Sequence, residues 1–242
     1  MESVAERLAQ VRERIAGAAH ACGRRPEDVR LIAVSKTKTA SAIREAYAAG
    51  QRDFGENYVQ ELLTKADELA DLNDLRWHVI GHLQRNKAKT AVRIASAIHT
   101  IDTVRLVQEL GKRAKETPVL PAKRLWDAVD GRLPVLVEVN VGGEAQKSGC
   151  RPAELGPLLQ AVEREPTLRL IGLMTVPPQG EEPPAAAVRF FEELARLRDD
   201  HGGAERLPEL SMGMTEDLEP AIAAGATLVR VGRAIFGSRA PD

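Results

Sequence analysis

The chain has 242 residues, 43% of them hydrophobic and 29% charged, which suits a water-soluble protein with a sizeable core. A formal net charge of −1 gives no basis for binding nucleic acid or an anionic membrane surface. Two cysteines, Cys22 and Cys150, are too few for a disulfide framework and point to a reducing cytoplasmic setting.

The first residues are acidic, unlike a secretory signal, and no apolar run approaches the ~20 residues of a membrane span. Ser3 and Glu6 have the spacing of a capping box, and Val4, Leu8, Val11 and Ile15 then recur on one face, predicting a helix over Glu2–Cys22. Short apolar or β-branched runs follow at Leu31–Ser35, Arg52–Gly55, Trp77–Gly81, Ala97–Ile101, Pro134–Asn140, Leu170–Thr175, Glu209–Met212 and Thr227–Val231. Helical patterns separate them at Ser41–Ala49, Val59–Leu69, Asn86–Ala95, Val104–Lys115, Ala153–Glu163, Ala187–Asp199 and Leu218–Ala224.

Parallel neighbours need such crossovers, so eight runs predict a (βα)8 TIM barrel with an extra N-terminal helix, one domain over 1–242. An open doubly wound sheet is the alternative. Two stretches break the rhythm: Glu116–Leu133, which reads as an insertion without an assignable role, and the proline- and glycine-rich Val176–Ala186.

Functional groups in a parallel barrel gather where strands end. Lys36 follows the apolar Leu31–Val34, and a lysine leaving a buried strand loses hydration, which favours a neutral, nucleophilic amine. Lys38 falls on the same side of an extended chain, so periodicity does not choose between them, and from position alone a solvated lysine is the simpler reading. Ser211–Thr215 leads into a helix for which Pro220 favours Asp217 as N-cap. Arg230-Val231-Gly232 ends the last strand, and Gly232 permits close backbone approach. Barrels often seat phosphate at these last two loops, although glycines serving only as turns would look the same. The first strand neighbours the last in a closed barrel, so a phosphorylated aldehyde would satisfy lysine and cradle together.

Further motifs are Ala33-Val34-Ser35-Lys36-Thr37-Lys38, Phe54-Gly55-Glu56-Asn57-Tyr58, Trp77-His78-Val79-Ile80-Gly81-His82-Leu83-Gln84-Arg85-Asn86-Lys87, Lys147-Ser148-Gly149 and Ser211-Met212-Gly213-Met214-Thr215. With these motifs in this order from Leu31 to Gly237, the chain resembles the pyridoxal phosphate homeostasis protein family, whose fold is that of the N-terminal barrel of alanine racemase. The resemblance implies pyridoxal 5′-phosphate as cofactor, held as a Schiff base by Lys36. It implies Ser211, Thr215, Gly232 and the Arg233 backbone near the phosphate, Arg230 facing the pyridine nitrogen, and Asn57, His78 and Met212 bordering the ring.

An arginine cannot yield a proton to the ring nitrogen, which leaves the cofactor a weak electron sink. Alanine racemase adds a tyrosine from a C-terminal β-domain. This sequence stops at Asp242 and has only Tyr47 and Tyr58, so efficient racemisation is not expected. The expectation is therefore a non-catalytic, monomeric carrier or buffer of pyridoxal phosphate, with pyridoxal-phosphate-dependent apoenzymes as candidate partners; a weak amino-acid racemase or other pyridoxal-phosphate-dependent enzyme is the alternative, and a regulatory module whose partner reads cofactor occupancy is a third reading. Thr39 stands where many members have proline. His78 and His82 have metal-pair spacing but straddle a strand end with no third ligand, and the basic stripe Asn86–Arg93 reads as a solvated helix face. Cys150 reads as a bystander thiol.

Overall fold

In the computed structural model, which describes residues 2–117, 130–144, 146–178 and 187–237, eight parallel strands close into a barrel in sequence order. The strands are β1 (Arg30–Val34), β2 (Asp53–Glu56), β3 (Arg76–Val79), β4 (Ala97–Ile101), β5 (Leu133–Glu138), β6 (Leu168–Met174), β7 (Glu209–Ser211) and β8 (Leu228–Val231). Closure is made by β1 against β8, with Ala33 beside Val231, so the open-sheet alternative is set aside. Each expected strand lies within two residues of its observed bounds at both ends. The apolar runs are long enough to cross the barrel wall, and polar residues, glycine or proline break them soon afterwards.

The helices are α1 (Val4–Ala21), α2 (Ala40–Ala48), α3 (Val59–Glu68), α4 (Ala88–Ile94), α5 (Val104–Glu116), α6 (Leu155–Glu163), α7 (Val188–Asp200), α8 (Gly203–Arg206), α9 (Leu218–Ala223) and α10 (Arg233–Phe236). Helix α8 was not expected, since four residues are too short to show a period. The capping box of α1 is present: Ser3 Oγ accepts from Glu6 N–H at 3.2 Å and Glu6 accepts from Ser3 N–H at 2.7 Å. Thr39 serves α2 as N-cap, its hydroxyl accepting from Ala42 N–H at 3.3 Å, so hydroxyl capping starts this helix without proline. The expected insertion and proline-rich loop fall mainly on 118–129 and 179–186, outside the described residues.

Two apolar layers result from the two faces of the strands. The larger lies between barrel and helices and includes Leu31, Ala33, Phe54, Trp77, Val79, Val137, Leu210, Met212, Val229 and Val231. The smaller fills the barrel interior with Ile32, Leu136, Ile171, Met174 and Leu228. Strand alternation therefore assigns Lys36, in phase with Ile32, and Glu138, in phase with Leu136, to the inner face. The same alternation turns His78, Ser211 and Arg230 inward.

Helix α1 packs on α9, α10 and α2. Three of its side chains or near neighbours fasten the last two βα units. Arg7 Nε donates to Ile235 O at 2.6 Å, Arg14 donates to Thr215 O at 2.8 Å while pairing with Glu219 at 2.7 Å, and Arg24 donates to Ile222 O at 3.0 Å. The extra N-terminal helix thus braces the loops expected to cradle phosphate.

Candidate functional site

Lys36 stands at the carboxyl end of β1, half-buried. The next residue, Thr37, has φ +62°, a left-handed conformation that a β-branched residue rarely adopts. A turn closed by Lys38 N–H to Ser35 O at 3.0 Å holds it, together with Thr37 N–H donating to Glu61 Oε1 at 2.5 Å. Lys38 Nζ donates to Gly237 O at 3.1 Å, at the end of α10.

A buried ion cluster supports the turn from below. Lys65 Nζ donates to Ser35 O, Glu56 Oε1 and Glu61 Oε1 at 2.6, 2.7 and 2.7 Å, and Ser35 Oγ donates to Glu56 Oε1 at 2.6 Å. Burial pushes the Glu56 carboxyl above its ordinary range, against the pull of Lys65 and Ser35. The sequence reading did not find this cluster. Its signal was a lysine on the apolar stripe of α3, where Val59, Leu62 and Lys65 are all buried.

A second buried chain crosses the barrel interior. Asp53 is held by two bonds from Arg76, at 2.8 and 2.7 Å, and by His78 Nε2 at 3.0 Å. Burial opposes its ionisation, yet these donors outweigh burial and keep the Asp53 carboxyl well below the usual range. His78 Nδ1 and His99 Nε2 lie 2.9 Å apart, and His99 Nδ1 lies 2.9 Å from Ser211 Oγ. Burial first, then His78 and Arg230, hold His99 far toward its neutral form. Asp53 can only accept, so His78 Nε2 carries a hydrogen. The His78–His99 and His99–Ser211 contacts give every remaining ring nitrogen a partner, with the direction of each bond set by the tautomers. Arg230 completes the chain, donating to Ser211 Oγ at 2.7 Å and to Thr175 O at 2.8 Å. Burial lowers the Arg230 guanidinium to about 10, with Glu138 and Asp217 opposing, so it remains cationic at neutral pH.

Three expected site residues sit among these networks. His78 is fully buried as a link between Asp53 and His99. The Ser211 hydroxyl is bonded to His99 and Arg230. Met212, one residue out of phase with Ser211, is buried in the layer beneath the helices.

The rest line the carboxyl end of the barrel. Asn57 is half-buried after β2, and Gly81 packs so closely on its backbone that a Cβ there would meet Asn57 O at 2.5 Å. Thr215 is half-exposed in the loop before α9. Asp217 is the N-cap residue of α9, but its carboxylate turns back to accept from Met214 N–H at 2.5 Å and closes that loop instead. Gly232 starts α10, and a Cβ there would press on Val34 O at 3.2 Å. Arg233 points outward to Glu216 at 3.0 Å, leaving its backbone to the loop. His82 is exposed beside Asp102 at 3.3 Å, away from His78. Cys150 is buried and its thiol is pushed up to about 12, principally by burial.

The family model for the N-terminal domain of alanine racemase matches residues 7–240. A pyridoxal phosphate homeostasis protein of Pseudomonas aeruginosa is 47% identical over 243 residues, covering 99% of this chain and 97% of that protein. A protein of the same name from Escherichia coli is 45% identical over 246 residues, covering 99% and 98%. Among solved structures, PipY of Synechococcus elongatus with pyridoxal phosphate bound matches with a TM-score of 0.78 at 37% identity, covering 97% of this chain and all of that one. Alanine racemase from Corynebacterium glutamicum, 16% identical with a TM-score of 0.61, shares the fold over 61% of its length. The chain therefore belongs to the alanine racemase N-terminal-domain family, and within it to the pyridoxal phosphate homeostasis proteins.

Proposed function

We propose that this chain binds pyridoxal 5′-phosphate at the carboxyl end of its barrel and acts in the cytosol as a monomeric carrier or buffer of it, without turning over a substrate. One observation supports the reading most: Lys36 follows the carboxyl end of β1, whose neighbour β8 leads into the loop where Gly232 packs tightly on Val34, a Cβ there standing 3.2 Å from Val34 O. An amine and a backbone cradle are thereby adjacent, as a phosphorylated aldehyde requires. The relatives' name and the bound state of PipY support the same reading.

When bound, the cofactor supplies an aldehyde open to capture by an amine and a ring able to withdraw electrons. Lys36 holds the aldehyde end covalently. Thr215 and the backbone at Gly232 and Arg233 take the phosphate, using N–H groups that the first turn of α10 leaves without intrahelical acceptors. Asn57 borders the ring. Arg230, buried, cationic and bonded to Ser211 and Thr175, donates to the ring nitrogen and offers no proton for transfer to it. Neither tyrosine supplies an acid or base inside the barrel: Tyr47 bonds to Asp74 on the outside, and Tyr58 is exposed. Pyridoxal-phosphate-dependent apoenzymes are the natural recipients of cargo held in this way.

Incubating the loaded protein with L- and D-amino acids, while following chirality and keto-acid formation, tests the absence of turnover. No sustained conversion is expected. Conversion that persists over many turnovers and disappears in Lys36→Ala would make the protein an enzyme.

A further inference from the structure

Glu138 has no part in the site as derived so far. It ends β5, and in a closed eight-stranded barrel in sequence order β5 lies across from β1. Its phase with Leu136 turns it inward, so its carboxyl and the Lys36 amine belong to opposite walls of one mouth. The residue is only 8% exposed, yet its Oε2 is buried with no hydrogen-bond partner among the described residues. An orphaned carboxylate oxygen is costly in a folded chain and is rarely kept unless something else uses it.

Its surroundings hold it there without satisfying it. Cys150 N–H donates to Glu138 O at 2.9 Å, Asn140 N–H donates to Cys150 O at 2.9 Å, and Gly149, at φ +102°, comes so close that a Cβ would stand 3.3 Å from Glu138 Cγ. The charged groups acting on it are Asp102 from the loop after β4, which repels, and Arg230 from β8, which attracts. The Cys150 thiol beside it stays protonated and adds no charge at neutral pH.

We propose that Glu138 is a ligand-facing group of the cofactor site and that pyridoxal phosphate binding is coupled to uptake of a proton by its carboxyl. The idea rests on the function proposed above. Phosphate and phenolate oxygens bring negative charge into a mouth where one carboxylate is already poorly solvated. Protonating Glu138 removes that repulsion and converts an acceptor without a partner into a donor for a ligand oxygen. Burial and Asp102 have moved the group up to about 7 before any ligand arrives, so the proton is available near neutrality. Linkage then makes occupancy fall as pH rises through this range.

Calorimetric titration of the full chain with pyridoxal 5′-phosphate, in PIPES and in imidazole buffers at pH 6, 7 and 8, reads both affinity and protons exchanged. The same titration of Glu138→Gln subtracts the protons contributed by the cofactor and Lys36. Wild type is expected to take up more protons than the variant, by up to about half a proton at pH 7 and more at pH 8, and to lose several-fold more affinity between pH 6 and 8. Equal proton counts and parallel affinity profiles would overturn the proposal. Absence of saturable binding by the wild type would instead overturn the proposed function. Should the variant fold poorly, the carboxyl 13C shift of Glu138 in the wild type decides: a midpoint that rises on loading supports the coupling, and an unchanged midpoint overturns it.

Discussion

A single buried carboxyl gives this barrel a distinctive pH response even before any ligand is present. Burial, then Asp102, push the Glu138 carboxyl from its ordinary 4.5 up to about 7, so between these limits the native state holds a proton that the unfolded state has released. Stability contributed at this residue is therefore full below about pH 4.5 and is lost as pH rises through about 7. Each pK unit corresponds to ~1.4 kcal/mol, so the whole loss is about 3 kcal/mol. Glu138→Gln should remove it: urea unfolding of the cofactor-free variant is expected to match wild type near pH 4 and exceed its stability at pH 8. An identical gap at both pH values would mean that the carboxyl does not titrate in this window. Glu138 was legible in principle, as the only charged residue in the apolar run Leu133–Val139, two positions after inward Leu136. What the sequence did not contain was the orphaned oxygen, which depends on how the 149–150 loop closes over the strand.

At the scale of elements, two buried clusters organise the mouth. The Lys65 cluster links α3 to the turn that presents Lys36. Lys65→Met would leave Glu56 buried without its cation, an outcome worth about 3–5 kcal/mol. Urea denaturation should show that loss, and cofactor affinity should fall with it because the Glu61–Thr37 bond loses its anchor. The second cluster shows what strand patterns alone leave open. Strand positions were readable from apolar runs, but whether His78 or Trp77 faces inward is a matter of phase, and its depth in the barrel a matter of register. Asp53, opposite Arg76 at the start of β3, pairs with His78 in the barrel interior. Met212 is adjacent to inward-facing Ser211, so alternation sends it into the layer beneath the helices. Arg230 is in phase with inward Leu228, and Lys36 follows two residues after the end of β1.

The whole molecule is a barrel whose last two loops are braced by a helix that precedes the first strand. Arg14 makes this brace specific, joining α1 to Thr215 O and Glu219 across the chain's full length. Because the ion pair is partly exposed, its own contribution is small, on the order of 0–1 kcal/mol. Arg14→Ala should therefore change the unfolding midpoint little, while weakening binding of pyridoxal phosphate more than that of phosphate-free pyridoxal. Equal weakening for both ligands, measured by absorbance titration, would detach the brace from the phosphate loops. The closed topology and α1 were both legible from the eight runs and the capping box. The brace was not, since it is made by arginine side chains reaching backbone carbonyls, for which local sequence carries no pattern.

Everything proposed about function depends on which amine holds the cofactor. The most direct measurement loads the protein with pyridoxal 5′-phosphate, reduces it with borohydride and maps the labelled peptide. The label is expected on Lys36, with none on Lys38, whose amine is bonded to Gly237 O. A label on Lys38, on any other lysine, or on none would contradict the account.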